Sequence, residues 1–191
     1  MIPFNHLGWF FKTFGPGIYP KSVRISLCDF LKPLSPYSSV LDVGGGTGVM
    51  CEFAHTCRDD LDLTVVDPAE GMLKYTKTYV QTVKASAEAL PFDNNSFDMV
   101  LMGESLHHFK DIDEALKETV RVLKKKGKLF IYDFDVGTFK GQSICTGEKL
   151  LGEPGNFFEP EALLILLKSY GFSAGFKQHG WRYTMHAHLK R

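Results

Sequence analysis

The stretch Val40-Leu41-Asp42-Val43-Gly44-Gly45-Gly46-Thr47-Gly48-Val49 constrains the fold of this 191-residue chain more than any other. An apolar run leads to an acid, glycines follow at 44, 46 and 48, and apolar residues resume at Val49-Met50. That order predicts a buried strand, a tight turn and the start of a helix. Glycine lets the backbone take positive φ and lets a ligand approach where a Cβ would stand. The free N–H groups at the helix start favour an anionic or electron-rich group.

Two ligand families that use such turns fit poorly. A P-loop needs Lys-Ser/Thr after its last glycine, and Gly48 is followed by Val49-Met50. A dinucleotide fingerprint starting at Gly44 needs a glycine at 49, which is valine. That absence counts against a nicotinamide-dependent oxidoreductase. The remaining pattern, D-x-G-x-G-x-G over Asp42, Gly44, Gly46 and Gly48, resembles motif I of the class I S-adenosylmethionine (SAM) methyltransferases.

Three companions extend the resemblance. Leu63-Thr64-Val65-Val66-Asp67 ends in an acid some twenty residues after the glycines, where a doubly wound fold places a ribose-binding carboxylate. Asp67 followed by Pro68 also reads as a helix N-cap and first position, and the two readings are compatible. Ser86-Ala87-Glu88-Ala89-Leu90-Pro91-Phe92, with Ser96-Phe97-Asp98-Met99-Val100 after it, resembles a segment of the type-11 group, which includes ubiquinone/menaquinone C-methyltransferases. Here Ala85 stands for the group's usual glycine and Ser86 for its usual aspartate, the acceptor for the adenine amino group. Arg121-Val122-Leu123-Lys124-Lys125-Lys126-Gly127-Lys128-Leu129 resembles the group's helix end and next strand. The resemblance spans roughly residues 35–190.

The length suits one domain with a sizeable core. Formal net charge is zero, which disfavours a nucleic-acid partner. The Lys124–Lys126 run reads as a helix C-terminal charge complement. Cys28, Cys51, Cys57 and Cys145 show no C-x-x-C or zinc spacing, so reduced thiols and a cytoplasmic location are expected. No stretch approaches 18 apolar residues, so no membrane span or signal peptide is expected.

Strands are expected near 39–43, 62–67, 80–84, 97–103 and 127–133. Helices are expected near 21–32, 48–57, 69–78, 112–125 and 160–170, with a short one around 87–90. Residues 134–158 read as a long Gly-rich connection, and Phe172–Gln178 with Arg182–Leu189 as a closing hairpin. Strand–helix alternation implies an α/β, Rossmann-like doubly wound sheet with helices on both faces. The resemblance implies seven strands in the order 3-2-1-4-5-7-6, the last antiparallel. Residues 1–34 form an N-terminal arm and helix, 35–134 a SAM-binding core, and 135–191 a substrate-side loop, helix and hairpin. Phe4, Trp9, Phe10, Phe11, Phe14, Pro16 and Tyr19 are too apolar for a free tail. The arm should fold back, as a lid or as a packing or dimer contact.

Ligands of such sheets bind at the carboxyl ends of the strands. The expected SAM contacts are Asp42, Gly44, Gly45, Gly46, Gly48, Asp67, Pro68, Ser86, Ala87, Glu88 and Gly103, with Asp42 near the amino group and Leu90 against adenine. On the acceptor side stand Glu104, His107 and His108, in a segment where type-11 relatives commonly have "LHH". Asp133 follows, then Asp135, read as a solvated loop acid, and Tyr19. A histidine titrates near neutrality and can take a proton. His179, His186 and His188 lie on the far hairpin without a carboxylate or cysteine at ligand spacing, so no metal is expected. Phe157-Phe158 and Leu163–Leu167 read as core. The resemblance implies a SAM-dependent methyltransferase acting on a small-molecule acceptor by in-line displacement, with S-adenosylhomocysteine as product. The alternative is a non-catalytic SAM-binding protein with a regulatory or assembly role. The sequence leaves the choice between monomer and homodimer open.

Overall fold

The structure, a computed structural model, describes Gly8, Trp9, Lys12, Thr13, Gly15, Gly17 and residues 19–190. Phe4, Phe10, Phe11, Phe14 and Pro16, which the sequence assigns to the arm, lie outside the described residues.

Seven strands form one sheet: β1 Ser39–Val43, β2 Asp62–Val66, β3 Gln81–Val83, β4 Phe97–Gly103, β5 Leu123–Phe134, β6 Phe172–Gln178 and β7 Arg182–Leu189. Their order is β3-β2-β1-β4-β5-β7-β6. The first five are parallel, and β7 runs antiparallel to both β5 and β6. The helices are α1 Lys21–Leu31, α2 Val49–Cys57, α3 Glu70–Leu73, α4 Ile112–Val122, α5 Phe139–Leu150 and α6 Pro160–Ser169. Fold class, strand order and the closing hairpin therefore agree with the sequence reading.

Each central strand is buried on both faces because its residues alternate between two cores. Leu41, Val43, Val100, Met102, Leu129 and Ile131 face α4 and α6, where they meet Ala115, Leu116, Leu163 and Leu167. Val40, Met99, Leu101, Phe130 and Tyr132 face α1 and α2, where they meet Leu27, Leu31, Met50 and Ala54. This period-two alternation explains why parallel strands read as continuous apolar runs. A fully buried Leu or Val side chain contributes roughly 1.5–3 kcal/mol. Helix α4 shows the complementary pattern: Asp111 caps it, accepting from Glu114 N at 3.0 Å, and Ala115, Leu116, Thr119 and Val122 line its buried stripe.

Four local expectations are corrected. The helix expected over 69–78 is one turn, Glu70–Leu73, because Gly71 and the β-branched Thr76 and Thr78 give it little to propagate on. Residues 87–90 form a turn, not a helix. The supposed connection 134–158 contains the twelve-residue α5, started by Thr138, whose hydroxyl accepts from Gly141 N at 3.1 Å. Its glycines hide it from a propensity reading, yet Gly141 is required, since a Cβ there would collide with the carbonyl of Asp135. Finally, Cys28 and Cys57 are joined in a disulfide, not reduced. Helices α1 and α2 pack side by side and bring Cα atoms 29 residues apart to 5.3 Å. Cys51 and Cys145 are free and buried.

The described part of the arm folds back on the domain. Lys12 pairs with Glu52 of α2, a Cβ at Gly15 would touch Val49, and Tyr19 is buried with its hydroxyl donating to Gly103 O at 3.1 Å. No helix among the described residues is long and apolar enough to cross a membrane.

Candidate functional site

The carboxyl ends of β1, β2 and β4 meet at the point where the chain reverses its direction of winding. Strand β1 pairs with β2 on one side and β4 on the other, so the turn after Val43 opens between them. Gly44, Gly46 and Gly48 all have positive φ, at 66°, 54° and 78°. A Cβ on Gly44 would come within 2.8 Å of the Ser105 Cβ. The turn is therefore drawn against the loop after β4 as only glycine allows. Gly45 touches Asp42, where a Cβ would clash with the carboxylate.

Asp42 is the last polar side chain before the turn, and it is completely buried. Neither carboxylate oxygen has a hydrogen-bond partner of normal geometry among the described residues; the backbone and thiol of Cys51 are close enough only to temper its basicity. Burial raises its pKa to about 7, and Asp67 adds repulsion. An orphaned buried carboxylate beneath a glycine turn is a receptor for a cationic group. Asp67, at the end of β2, accepts from Gly46 N at 3.0 Å and Ala69 N at 2.7 Å. A carboxylate offers about four lone-pair sites, so two remain for a pair of hydroxyls. Burial raises the pKa of Asp67, and those two N–H groups pull it back. Asp67 thus anchors the turn; the helix begins at Glu70, so it is not the N-cap.

The remaining residues expected around the cofactor are placed as follows. Ala87 is buried and Ser86 partly so, near the end of β3, while Pro68 is exposed. Glu88 is turned away, its carboxylate accepting from Lys110 N at 2.8 Å and Asp111 N at 3.3 Å. Gly103 ends β4 under the Tyr19 hydroxyl; a Cβ there would lie 2.5 Å from Met50 Cγ.

On the far side of Gly103 a buried polar cluster joins β4 to β5. Glu104 has φ 51°, a strained conformation for a non-glycine residue. Its carboxyl group is raised to about 8, by burial first and then by Asp133, against the pull of Arg182, whose guanidinium lies 3.4 Å away. His107 is 1% exposed, and its Nδ1 lies 2.7 Å from Asp133 Oδ1. Burial works against charge on His107, but Asp133, Glu148 and Glu104 outweigh it and raise the pKa. His108 is lowered to about 3 by burial and by His107. The ring of His107 stacks on Phe157, with centroids 4.3 Å and planes 12° apart. Phe134 stacks on Trp181 at 5.5 Å, and Arg182 lies over Trp181 at 3.9 Å. The segment holding Phe157 is pinned down by Asn156, whose N donates to His107 O at 3.0 Å and Nδ2 to Phe109 O at 2.7 Å.

Several members of this cluster escape a sequence reading. Glu148, Glu153, Phe157, Trp181 and Arg182 come from α5, the segment after it and the start of β7. Asp135, read as a solvated acid, is buried and accepts from Gly137 N and Gln178 Nε2. His179 and His186 are satisfied by Ser22 and Ser26 of α1, in keeping with a packing role.

Residues 41–131 match the type-11 methyltransferase domain family, and this span holds Asp42, the glycine turn, Asp67, Gly103, Glu104 and both histidines. Residues 41–131 therefore carry a class I, type-11 methyltransferase domain. Among curated relatives, the ubiquinone/menaquinone biosynthesis C-methyltransferase UbiE of Shewanella sediminis is 38% identical over 109 residues, as is that of Shewanella oneidensis. These alignments cover 52% of this chain and 43% of the relative, so the chain spans less than half the length of the curated relatives it matches. Of solved structures, a SAM-dependent methyltransferase of Thermotoga maritima is 24% identical, with 98% of this chain and 97% of that one covered at a TM-score of 0.73. One of Aquifex aeolicus is 20% identical, with 90% and 94% covered at 0.70. Both share the fold. The family's cofactor is SAM, and the residues present fit it. The orphaned Asp42 carboxylate suits an ammonium, Asp67 keeps acceptor sites for ribose hydroxyls, and the glycine turn leaves its flank without side chains.

Proposed function

We propose that this chain transfers a methyl group from SAM to a small-molecule acceptor by in-line displacement, and that the acceptor is a flat, hydroxyl-bearing ring. The observation that carries the first part is the convergence of Asp42, the positive-φ glycines and Asp67 beside β1. When bound, SAM supplies a leaving group that is already charged. The chain's residues have then to hold, align and exclude water, and alignment of this kind supplies roughly 7–11 kcal/mol. Asp42 and Asp67 fix the two ends of the ligand, and Tyr19 closes over Gly103, where the two halves of the site meet. On this reading the acceptor side is lined by Phe134, stacked on Trp181, and by Phe157, tilted against Phe134, an aromatic wall that favours a planar partner. The curated relatives are C-methyltransferases of ubiquinone and menaquinone biosynthesis, which puts quinone precursors first among acceptors to screen.

Calorimetric titration with SAM and S-adenosylhomocysteine, with NAD as control, tests the cofactor half. Wild type should bind both sulfur ligands and not NAD. Asp67→Ala should weaken SAM binding by about 100-fold or more, the cost of two charge-assisted hydrogen bonds at roughly 1.5–3 kcal/mol each. Unchanged affinity in that variant would sink the assignment.

A further inference from the structure

Five side chains, those of His107, His108, Asp133, Glu148 and Glu153, meet between β4, β5 and α5. His107 Nε2 and Glu148 Oε2 are 3.5 Å apart, and His108 Nδ1 and Glu153 Oε2 are 3.4 Å apart. Both separations exceed the 2.7–3.2 Å of a hydrogen bond between such atoms. Glu148 Oε2 is buried and has no hydrogen-bond partner among the described residues. One donor atom each from His107, His108 and Glu148 lies within 4.8 Å of the others.

The orientation of His107 adds an independent observation. Asp133 accepts at Nδ1, so whenever His107 is neutral it donates its Nδ1–H there at 2.7 Å and turns the Nε2 lone pair toward Glu148. Phe157, stacked on the ring, prevents a flip. A carboxylate behind one imidazole nitrogen, with the other nitrogen aimed at further ligands, is the arrangement that holds a metal-binding histidine in one tautomer. Two ligand atoms each about 2.0–2.2 Å from a tetrahedral ion stand about 3.4 Å apart, which matches the His107–Glu148 separation. The charge balance points the same way. The carboxyl groups of Asp133 and Glu148 face His107, that of Glu153 faces His108, and the Arg182 guanidinium lies 3.4 Å from Glu104.

We propose that His107 Nε2, His108 and Glu148 form a three-residue binding site for a first-row divalent transition-metal ion. Two imidazoles with a carboxylate select an ion such as Zn²⁺, Co²⁺ or Mn²⁺ over Mg²⁺ or Ca²⁺, which prefer all-oxygen sets. This replaces the expectation from the sequence that no metal is bound. That expectation weighed the hairpin histidines and could not see Glu148. An ion here offers an open position to a hydroxyl oxygen of the acceptor, whose proton leaves to bulk water as the metal–oxygen bond forms. Only this last role rests on the methyltransferase reading.

The full chain, stripped with chelator and kept oxidised, is titrated with Co²⁺ and followed by visible absorption, then with Zn²⁺ in competition. The expected result is one saturable site with weak d–d bands, displaced by Zn²⁺. Glu148→Gln and His108→Gln should weaken it by about 100-fold or more, Asp133→Asn by about 10–100-fold, and His186→Gln should leave it unchanged. Circular dichroism and SAM calorimetry on the same samples check folding and keep the cofactor reading separate. Should a ligand variant unfold, X-ray absorption of the wild-type Zn²⁺ complex decides, two imidazoles being expected. Absence of saturable binding, intense near-ultraviolet thiolate bands, or affinity unchanged in the folded ligand variants would overturn the proposal.

Discussion

Asp42 gives the sharpest test of the cofactor site, because its cost to the fold can be calculated and its sign is unusual. An unfolded aspartate titrates near 3.9, whereas buried Asp42 titrates at about 7. The native state therefore binds its proton more tightly than the unfolded state. Below about pH 4 both states are protonated and Asp42 costs nothing. Between pH 4 and 7 the unfolded chain has lost the proton and the native chain keeps it, so stability falls by about 1.4 kcal/mol for each step of one in pH. Above pH 7 the penalty is complete, at about 4 kcal/mol, because the folded and unfolded titrations lie about three pH steps apart. Asp42→Asn removes the titration at nearly constant shape. Urea unfolding from pH 5 to 9 should show the variant gaining about 3 kcal/mol over wild type across that span, nearly all of it by about pH 7. Wild-type affinity for SAM should rise through pH 7 as the carboxylate ionises to meet the ligand's ammonium, while the variant binds weakly and without that rise. Parallel stability curves for the two proteins would refute the account, since Asp42 would then be ionised throughout.

Two further predictions concern the scaffold. Closing the loop between Cys28 and Cys57 should contribute about 3–4 kcal/mol by chain entropy. Cys57→Ser should lower the urea midpoint accordingly, and wild type unfolded without reductant should titrate two thiols, Cys51 and Cys145, not four. Gly44→Ala forces a side chain into φ 66° and within 2.8 Å of the Ser105 Cβ. It should cost roughly 1–3 kcal/mol of stability and abolish SAM binding by calorimetry; full binding would mean that the turn is not the ligand's cradle.

The geometry proposed to hold SAM was legible because its information is local. The glycine turn and Asp67 each follow a short apolar strand, and strand ends in a parallel sheet meet by topology alone. Fold class and strand order followed from alternation and from the resemblance. The buried cluster proposed to face the acceptor was only partly legible. His107, His108 and Asp133 follow β4 or end β5, but their partners Glu148 and Glu153 lie on or after a helix disguised by Gly141 and Gly147. Phe157 read as core, and it does pack, but against an imidazole. The disulfide was invisible for a different reason. Cysteine spacing carries no signal when two helices far apart in sequence happen to pack side by side.

The position of β7 sets the order in which this sheet can be assembled. The last of the seven strands to leave the ribosome is an inner strand, wedged between β5 and β6, and its first residue, Arg182, reaches the acceptor cluster. Every cofactor-side residue from Asp42 to Gly103 emerges well before it. A nascent chain can thus shape its cofactor cradle while β5 still presents an unpaired edge to the cell. For that interval the buried cluster around His107 and Glu104 lacks Arg182, and the exposed edge of β5 calls for a chaperone.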